Sequence, residues 1–305
     1  MKDVLTDVHI DFSEGSLLFL NLALAFIMFG VALGIETKNF QELLKNPKSV
    51  ITGVISQFLL LPALTFLLVF FLKPVPGLAL GMILVAACPG GNVSNFFSSI
   101  SKGNVALSIT LTAIATILAM FMTPLNFEFY SNLYLGDKLN MDVKMDAIAM
   151  MKTVFYLLVI PLIIGIIFNT KFPKLTKTIN QPIKIVSFLI LIAFIVFAFL
   201  KNLELFIEYY HYIIFVVFLH NLLALGSGYG LSRLFGNKEQ DNRTISIETG
   251  IQNSGLGLVL IFTIFDGNGG MALITAWWGI WHIISGIIVS LIYSKGAIFQ
   301  VKNND

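Results

Sequence analysis

Charged side chains make up only 12% of this 305-residue chain, about half the share of an ordinary soluble domain. So little charge cannot cover a water-facing globule of this size, which excludes a soluble fold. The single cysteine, Cys88, excludes an internal disulfide. His/Cys ligand clusters and an HExxH pattern are missing, and with them the usual zinc centres. No Gly-x-Ser-x-Gly elbow occurs, and Glu248 has no second deep acid to pair with, which speaks against an intramembrane hydrolase. A net charge of +2, from 19 basic and 17 acidic groups, carries no nucleic-acid signature. Met1 to Glu14 hold four acids against one lysine, unlike the basic start of a signal peptide, so the first apolar run is expected to be a retained helix.

Apolar length is what the chain does have: 57% of residues are hydrophobic and the mean hydropathy is +0.87. A membrane-crossing helix needs roughly 20 mostly apolar residues, so the chain accommodates nine or ten crossings with no room for a soluble domain. Nine apolar segments stand out: Ser16–Ile35, Ser49–Leu72, Pro76–Ser101, Asn104–Asn126, Ala147–Phe168, Pro182–Leu200, Tyr209–Leu231, Thr244–Phe265 and Met271–Tyr293. The expected fold class is an all-α polytopic membrane protein of nine transmembrane helices. With the N-terminus outside and the C-terminus inside, 13 of the 19 basic residues fall on the inner side, as the positive-inside rule asks. A re-entrant segment in place of one crossing is the alternative, but an even count would spoil that asymmetry.

Two spans carry punctuation that a plain membrane helix would avoid. Span three contains Pro89-Gly90-Gly91-Asn92-Val93-Ser94-Asn95, and span eight contains Glu248-Thr249-Gly250-Ile251-Gln252-Asn253-Ser254. Spans one, two and four find partners in spans six, seven and nine at offsets of about 160–166 residues. Five spans separate the partners, so the repeats would have opposite topology, and polar interruptions at matching positions of inverted repeats point to a secondary transporter's binding site. The repeats run over about residues 16–126 and 147–294, with span five left over. Chance is the alternative, since Gly and Asn are common in membrane helices, but four pairs in order argue against it. Pro89 lacks an N–H and Gly90-Gly91 weakens a helix further, so span three is expected to break there. Free N–H groups and unwound carbonyls at the break would offer an anion site and a cation site together.

Glu248 is the only acidic side chain well inside a span, where an unpaired carboxylate costs about 2.5–3.5 kcal/mol on insertion scales. No basic residue lies deep in a span, so a bound cation or a proton is its expected partner, against the plainer reading of a carboxylate paired with a neighbouring lysine. Gln57, Ser94, Asn95, Ser108, Thr112, Gln252 and Asn253 supply oxygen-bearing side chains nearby, and Ser108 and Thr112, four apart, share one helix face. Each alone reads as helix–helix hydrogen bonding; together with Glu248 they read as the hard oxygen ligands that alkali cations prefer. His220 is expected to be a packing residue. His282, after Trp277, Trp278 and Trp281, either lines a cavity or packs against lipid.

At these residues the sequence resembles the bile acid:sodium symporter family. The resemblance rests on Gln57 in Ser56-Gln57-Phe58, Cys88-Pro89-Gly90-Gly91 with Ser94-Asn95, and Gly103-Asn104-Val105-Ala106-Leu107-Ser108. It continues through Glu248, Gly250, Gln252-Asn253-Ser254-Gly255 and Trp281-His282, covering nearly the whole chain. It implies two crossing broken helices in a core domain (spans two, three, four, seven, eight and nine) and a panel domain of spans one, five and six. It also implies two sodium sites. One would use Ser94, Asn95, Ser108, Thr112 and Glu248, the other Gln57, Glu248, Gln252 and the carbonyls of Thr249 and Ile251. A substrate would sit near Asn92, Asn253 and His282. The chain departs from familiar members at Asn92, where Thr is frequent, and at Ile283, where Asn often follows the Trp-His pair, so substrate identity stays open. Familiar bacterial members have ten helices; this chain resembles the nine-helix animal members, which accounts for the unpaired span five.

The resemblance implies sodium-coupled symport of an organic anion, a bile acid or a small carboxylate such as pantoate or pyruvate, by alternating access. The expected carrier is a monomer in a cell membrane, here a bacterial inner membrane, with no nucleic-acid partner and no enzymatic activity. Alternatives are a proton-coupled carrier or exporter using Glu248, and, in another class, a membrane-embedded sensor or enzyme.

Overall fold

The computed structural model describes residues 14–35, 47–136, 146–201 and 203–302. Eleven helices are found among them: α1 (Glu14–Ala32), α2 (Pro47–Leu72), α3 (Pro76–Ala87), α4 (Ser94–Ile100), α5 (Val105–Leu135) and α6 (Ala147–Lys171), then α7 (Pro173–Lys201), α8 (Leu203–Leu234), α9 (Glu239–Gly250), α10 (Ser254–Ile264) and α11 (Gly269–Lys302). Five stretches are long and apolar enough to cross a bilayer by length and composition alone: Pro47–Leu72, Val105–Leu135, Ala147–Lys171, Phe206–Leu234 and Gly269–Lys295. The expected spans three and eight are each split, into α3 and α4 and into α9 and α10. α3, α10 and most of α9 are surrounded by the interior, whereas α4 is buried on one side only and leaves Phe96 exposed.

α3 and α10 are apolar all round and buried on nearly every side, the signature of a central helix. α9 is the exception to the rule that polar helices sit outside: Asn242 to Gly250 are all buried, although the segment is rich in polar residues. Around this centre, α2, α5, α6, α8 and α11 turn apolar faces outward, with Phe71, Phe121, Ile164, Phe215 and Leu291 exposed. Exposed apolar surface on that scale fits a hydrocarbon solvent. α1 packs mainly on α6 and α7. Gly226 and Gly230 lie on an open face of α8 with no atom within 4 Å of a side chain placed there.

Several helices outrun their expected limits, among them α8, which starts six residues before Tyr209, and α11, which runs nine past Tyr293. α7 begins nine residues earlier than expected and keeps Pro182 inside it, at the cost of one main-chain hydrogen bond. α5 runs nine residues past Asn126 into the expected outer loop, and carries Pro124. α9 starts at Glu239, five residues before the apolar segment, because its first turn is held by polar contacts and not by lipid. There Asn104 caps α5 through Leu107 N (3.1 Å), and its Nδ2 donates to Asp241 Oδ1 (2.8 Å), which also ties in Ser49 Oγ at Oδ2 (2.7 Å).

Two hairpins share one local design. In Lys102-Gly103-Asn104 the lysine is left-handed (φ 54°), and in Asp266-Gly267-Asn268 the aspartate is (φ 49°). Each asparagine then caps the next helix, Asn104 on Leu107 N and Asn268 on Met271 N (3.0 Å). The pairs are 164 positions apart, the spacing of the sequence repeat.

Candidate functional site

The two breaks meet face to face. Gly90 and Gln252, 162 positions apart, form an antiparallel bridge, with Gly91 N donating to Ile251 O (2.6 Å) and Asn253 N donating to Pro89 O (2.9 Å). Backbone groups that would otherwise be orphaned in a low-dielectric interior thus satisfy each other. The approach demands glycine: a Cβ on Gly90 would lie 2.8 Å from Gln57 Nε2 and 2.9 Å from Glu248 Oε2, and one on Gly91 would lie 2.9 Å from Gln252 O. Asn221 Nδ2 takes up the carbonyl of Gly250 (2.8 Å), freed where α9 ends.

Glu248, fully buried, is the hub of the cluster behind this crossing. Its Oε1 accepts from Ser94 Oγ (2.6 Å), from Ser108 Oγ and from Thr112 Oγ1 (3.3 Å), while Oε2 accepts from Thr112 Oγ1 (3.3 Å) and Gln57 Nε2 (3.4 Å). The structure therefore brings Gln57 (α2), Ser94 (α4) and Ser108 and Thr112 (α5) onto one carboxylate of α9. Asn95 stands one step away, its Oδ1 accepting from Thr112 Oγ1 (3.5 Å). Thr249 and Ile251 are buried beside it, but their carbonyls already accept from Gln252 Nε2 (2.8 Å) and Gly91 N. A carbonyl has two lone pairs and can serve a second partner. Gln57 Oε1 and Gln252 Oε1 are buried with no hydrogen-bond partner, which a buried amide oxygen does not ordinarily tolerate.

No cationic side chain compensates Glu248 among the described residues. Arg243, itself buried, pairs with Glu239 (3.0 Å) and reaches Ser101 O (3.4 Å). No group of three or more His, Cys, Asp or Glu side chains occurs among the described residues, so the donor set is one carboxylate with hydroxyls, amides and carbonyls: hard oxygen without transition-metal ligands.

A π-turn over Ser56–Leu60 interrupts α2 at Gln57, a distortion frequent at functional sites. Pro62 has no N–H for the Phe58 carbonyl four residues back, and Asn126 Nδ2 supplies the missing bond (2.9 Å). Ser56 Oγ meanwhile meets Thr249 Oγ1 (2.7 Å). Asn126, Ser56 and Asn221 were not among the expected site residues. The signal that could have found the first is the pairing of a proline in an apolar span with a lone asparagine in the next-but-one.

On the other side of the crossing the expected substrate residues are less gathered. Asn92 donates from Nδ2 to Met28 Sδ of α1 (3.4 Å), and its Oδ1 is buried without a partner. Asn253 spends its Oδ1 on capping α10 through Leu256 N (3.0 Å). His282 is buried on α11 with neither ring nitrogen hydrogen-bonded. The start of α4 offers fewer free donors than the sequence led one to expect, since Ser94 N and Phe96 N bond to Gly91 O and Val93 O. His220 packs as expected, with Nε2 bonded to Thr65 Oγ1 (2.7 Å) and the ring 4.6 Å from Trp278.

Residues 21–209 match the model of the Sodium Bile acid symporter family. The chain is 31% identical over 277 residues to the sodium-dependent transporter YocS of Bacillus subtilis, covering 91% of this chain and 83% of YocS. It is 34% identical over 239 residues to the probable sodium/metabolite cotransporter BASS2, chloroplastic, of Oryza sativa, covering 78% and 55%. It is 32% identical over 256 residues to the P3 protein of Bos taurus, covering 83% and 52%. The chain thus spans about half the length of the last two relatives.

Proposed function

Since the chain belongs to the sodium bile acid symporter family, whose members are membrane transporters and not enzymes, we propose that it carries an organic anion across a cell membrane together with two sodium ions. The observation that supports this most is Glu248: a fully buried carboxylate met only by hydroxyls and an amide, beside two buried amide oxygens without partners. A carboxylate in that setting calls for a cation; a mostly neutral oxygen set suits an alkali ion, and the family points to sodium. One ion is held by Ser94, Asn95, Ser108, Thr112 and Glu248. The other is held by Gln57, Glu248, Gln252 and the carbonyls of Thr249 and Ile251, with Glu248 shared.

The substrate anion, a bile acid or a small carboxylate, binds on the far side of the crossing at Asn92, Asn253 and His282. A thioether is a weak acceptor, so an anionic oxygen replaces Met28 Sδ on Asn92 Nδ2 to advantage. Nine crossings with the N-terminus outside and the C-terminus inside place the inverted repeats about the β-bridge. The core, α2–α5 and α8–α11, shifts against the panel, α1, α6 and α7, to open each side in turn. With a tenfold sodium gradient and −100 mV, two sodium ions and one monovalent anion gain about 5 kcal/mol. That sustains accumulation on the order of a few thousandfold.

A thermal-shift titration of purified protein in sodium, potassium and choline chlorides tests the ion assignment. Stabilisation specific to sodium is the expected result and opens a screen of carboxylates in sodium buffer. Stability that follows pH and ignores sodium replaces this reading with proton coupling through Glu248.

A further inference from the structure

Between Asp146 and Glu204 the chain contains no acidic residue, while Lys152, Lys171, Lys174, Lys177, Lys184 and Lys201 fall inside that stretch. Three of these lysines gather where α6 hands over to α7. Lys171 ends α6, Phe172 forms the elbow, and Lys174 and Lys177, three apart on one helix face, stand on the first turns of α7. All three are exposed, and none hydrogen-bonds or pairs with an acid among the described residues. Two basic groups elsewhere are engaged, Lys48 with Gly236 O (3.3 Å) and Arg243 with Glu239. The link 36–46 lies outside the described residues, and its Glu36, Lys38, Glu42 and Lys45 balance in charge.

The lysines crown an apolar outer face. Ile163, Ile164 and Ile167 are exposed on α6 just below them, Phe172 and Leu175 lie among them, and Ile185 continues the face on α7. Acyl chains cover such a face in a bilayer, and the ammonium groups then stand at headgroup depth. We propose that the α6–α7 elbow is a binding site for an anionic phospholipid, whose phosphate meets Lys171, Lys174 and Lys177 while its chains lie along α6 and α7. The apolar face is what favours a lipid over free phosphate, which would find the same charges without the contact. This inference needs the chain to be embedded in a membrane and is independent of what it carries. α1 leans on this hairpin, so the site anchors the panel side of the molecule to the anionic leaflet.

Detergent-solubilised protein is titrated with fluorescent short-chain phosphatidylglycerol and, separately, phosphatidylcholine, with inorganic phosphate as competitor. The variants are Lys171→Gln/Lys174→Gln/Lys177→Gln together and, at the opposite end of α6, Lys152→Gln. Each lysine near an anionic surface is worth about fivefold in binding, so the triple variant is expected to lose at least about tenfold in phosphatidylglycerol affinity. Lys152→Gln keeps its affinity, phosphatidylcholine binds weakly throughout, and millimolar phosphate does not compete. Equal affinity in wild type and triple variant overturns the site, and full competition by phosphate overturns the lipid as its occupant. A cooperative thermal melt of the same samples, read without reference to sodium, shows whether the triple variant is folded. Failure of the sodium-dependent shift in the wild type counts against the transport reading and leaves the lipid result standing.

Discussion

Under the proposed inverted repeat, each position of the Glu248 cluster pairs with a position in the other half of the chain, and the two sets differ sharply in chemistry. Glu248 corresponds to Ala86, Ser108 and Thr112 to Ala272 and Ala276, and Gln57 to His220, all of them buried. The Glu248 side thus holds a carboxylate, three hydroxyls and an amide; the counterpart positions hold three alanines, Leu256 and a histidine whose Nε2 meets Thr65 Oγ1. What the halves share is backbone design: the left-handed residue before Gly-Asn, the asparagine cap and the bridge itself. The fold needs those features twice, because both breaks must satisfy their own hydrogen bonds. It does not need the polar cluster twice, since each buried polar group without a partner costs stability, and the proposed ion site would use only one.

The comparison breaks most sharply at Glu248. Glu248→Gln removes the charge and keeps the shape, and sodium-specific stabilisation, worth about 2.7 kcal/mol at a hundredfold excess over Kd, is expected to vanish from thermal-shift curves. Retention of the shift would remove the carboxylate from the ion site. Gly90→Ala comes next. Its Cβ would press on Gln57 Nε2 and Glu248 Oε2, and overpacking of this kind costs about 1–3 kcal/mol. The melting temperature is expected to fall and the sodium midpoint to rise together. Asn126→Leu orphans the Phe58 carbonyl at about 1–2 kcal/mol, and the loss should be alike in sodium and in potassium. The smallest effect belongs to the alanine side. Ala276→Ser bonds back to its own helix as Thr112 does to Ser108 O (3.0 Å). It is expected to shift stability by less than about 0.5 kcal/mol and to leave the sodium response untouched. A changed sodium midpoint in that variant would show that the two sets of positions are not separate.

Much of this was legible from residue types alone. Pro89-Gly90-Gly91 announces a break because it removes a donor and loosens the helix, and Glu248 announces itself by its energetic cost. The second break was harder to read: Ile251-Gln252-Asn253 holds no proline, and only the partner strand and the Asn253 cap make an extended backbone favourable there. Pro182 marked a helix start in the sequence because proline suits a first turn, yet the helix runs through it, one lost bond being cheaper than a new terminus. The extension of α5 past Asn126 escaped notice because Glu128 and the asparagines near it resemble loop composition, while Tyr134, bonded to Pro74 O (2.9 Å), packs that end down. The π-turn at Gln57 has no local sequence signature apart from Pro62. The same offset recurs in α6, where a π-turn over Phe155–Val159 precedes Pro161, so the proline is the feature the two turns share.

The bridge between the breaks has a mechanical consequence. Two short main-chain bonds, 2.6 and 2.9 Å long, join Gly91 to Ile251 and Asn253 to Pro89, so a push on either broken segment is felt by the other. Such a joint holds the two breaks together, and α1 reaches the same region through its packing on α10 and through Met28 Sδ against Asn92. A displacement of one broken segment is therefore passed to the other through the main chain itself, before any side chain has to move.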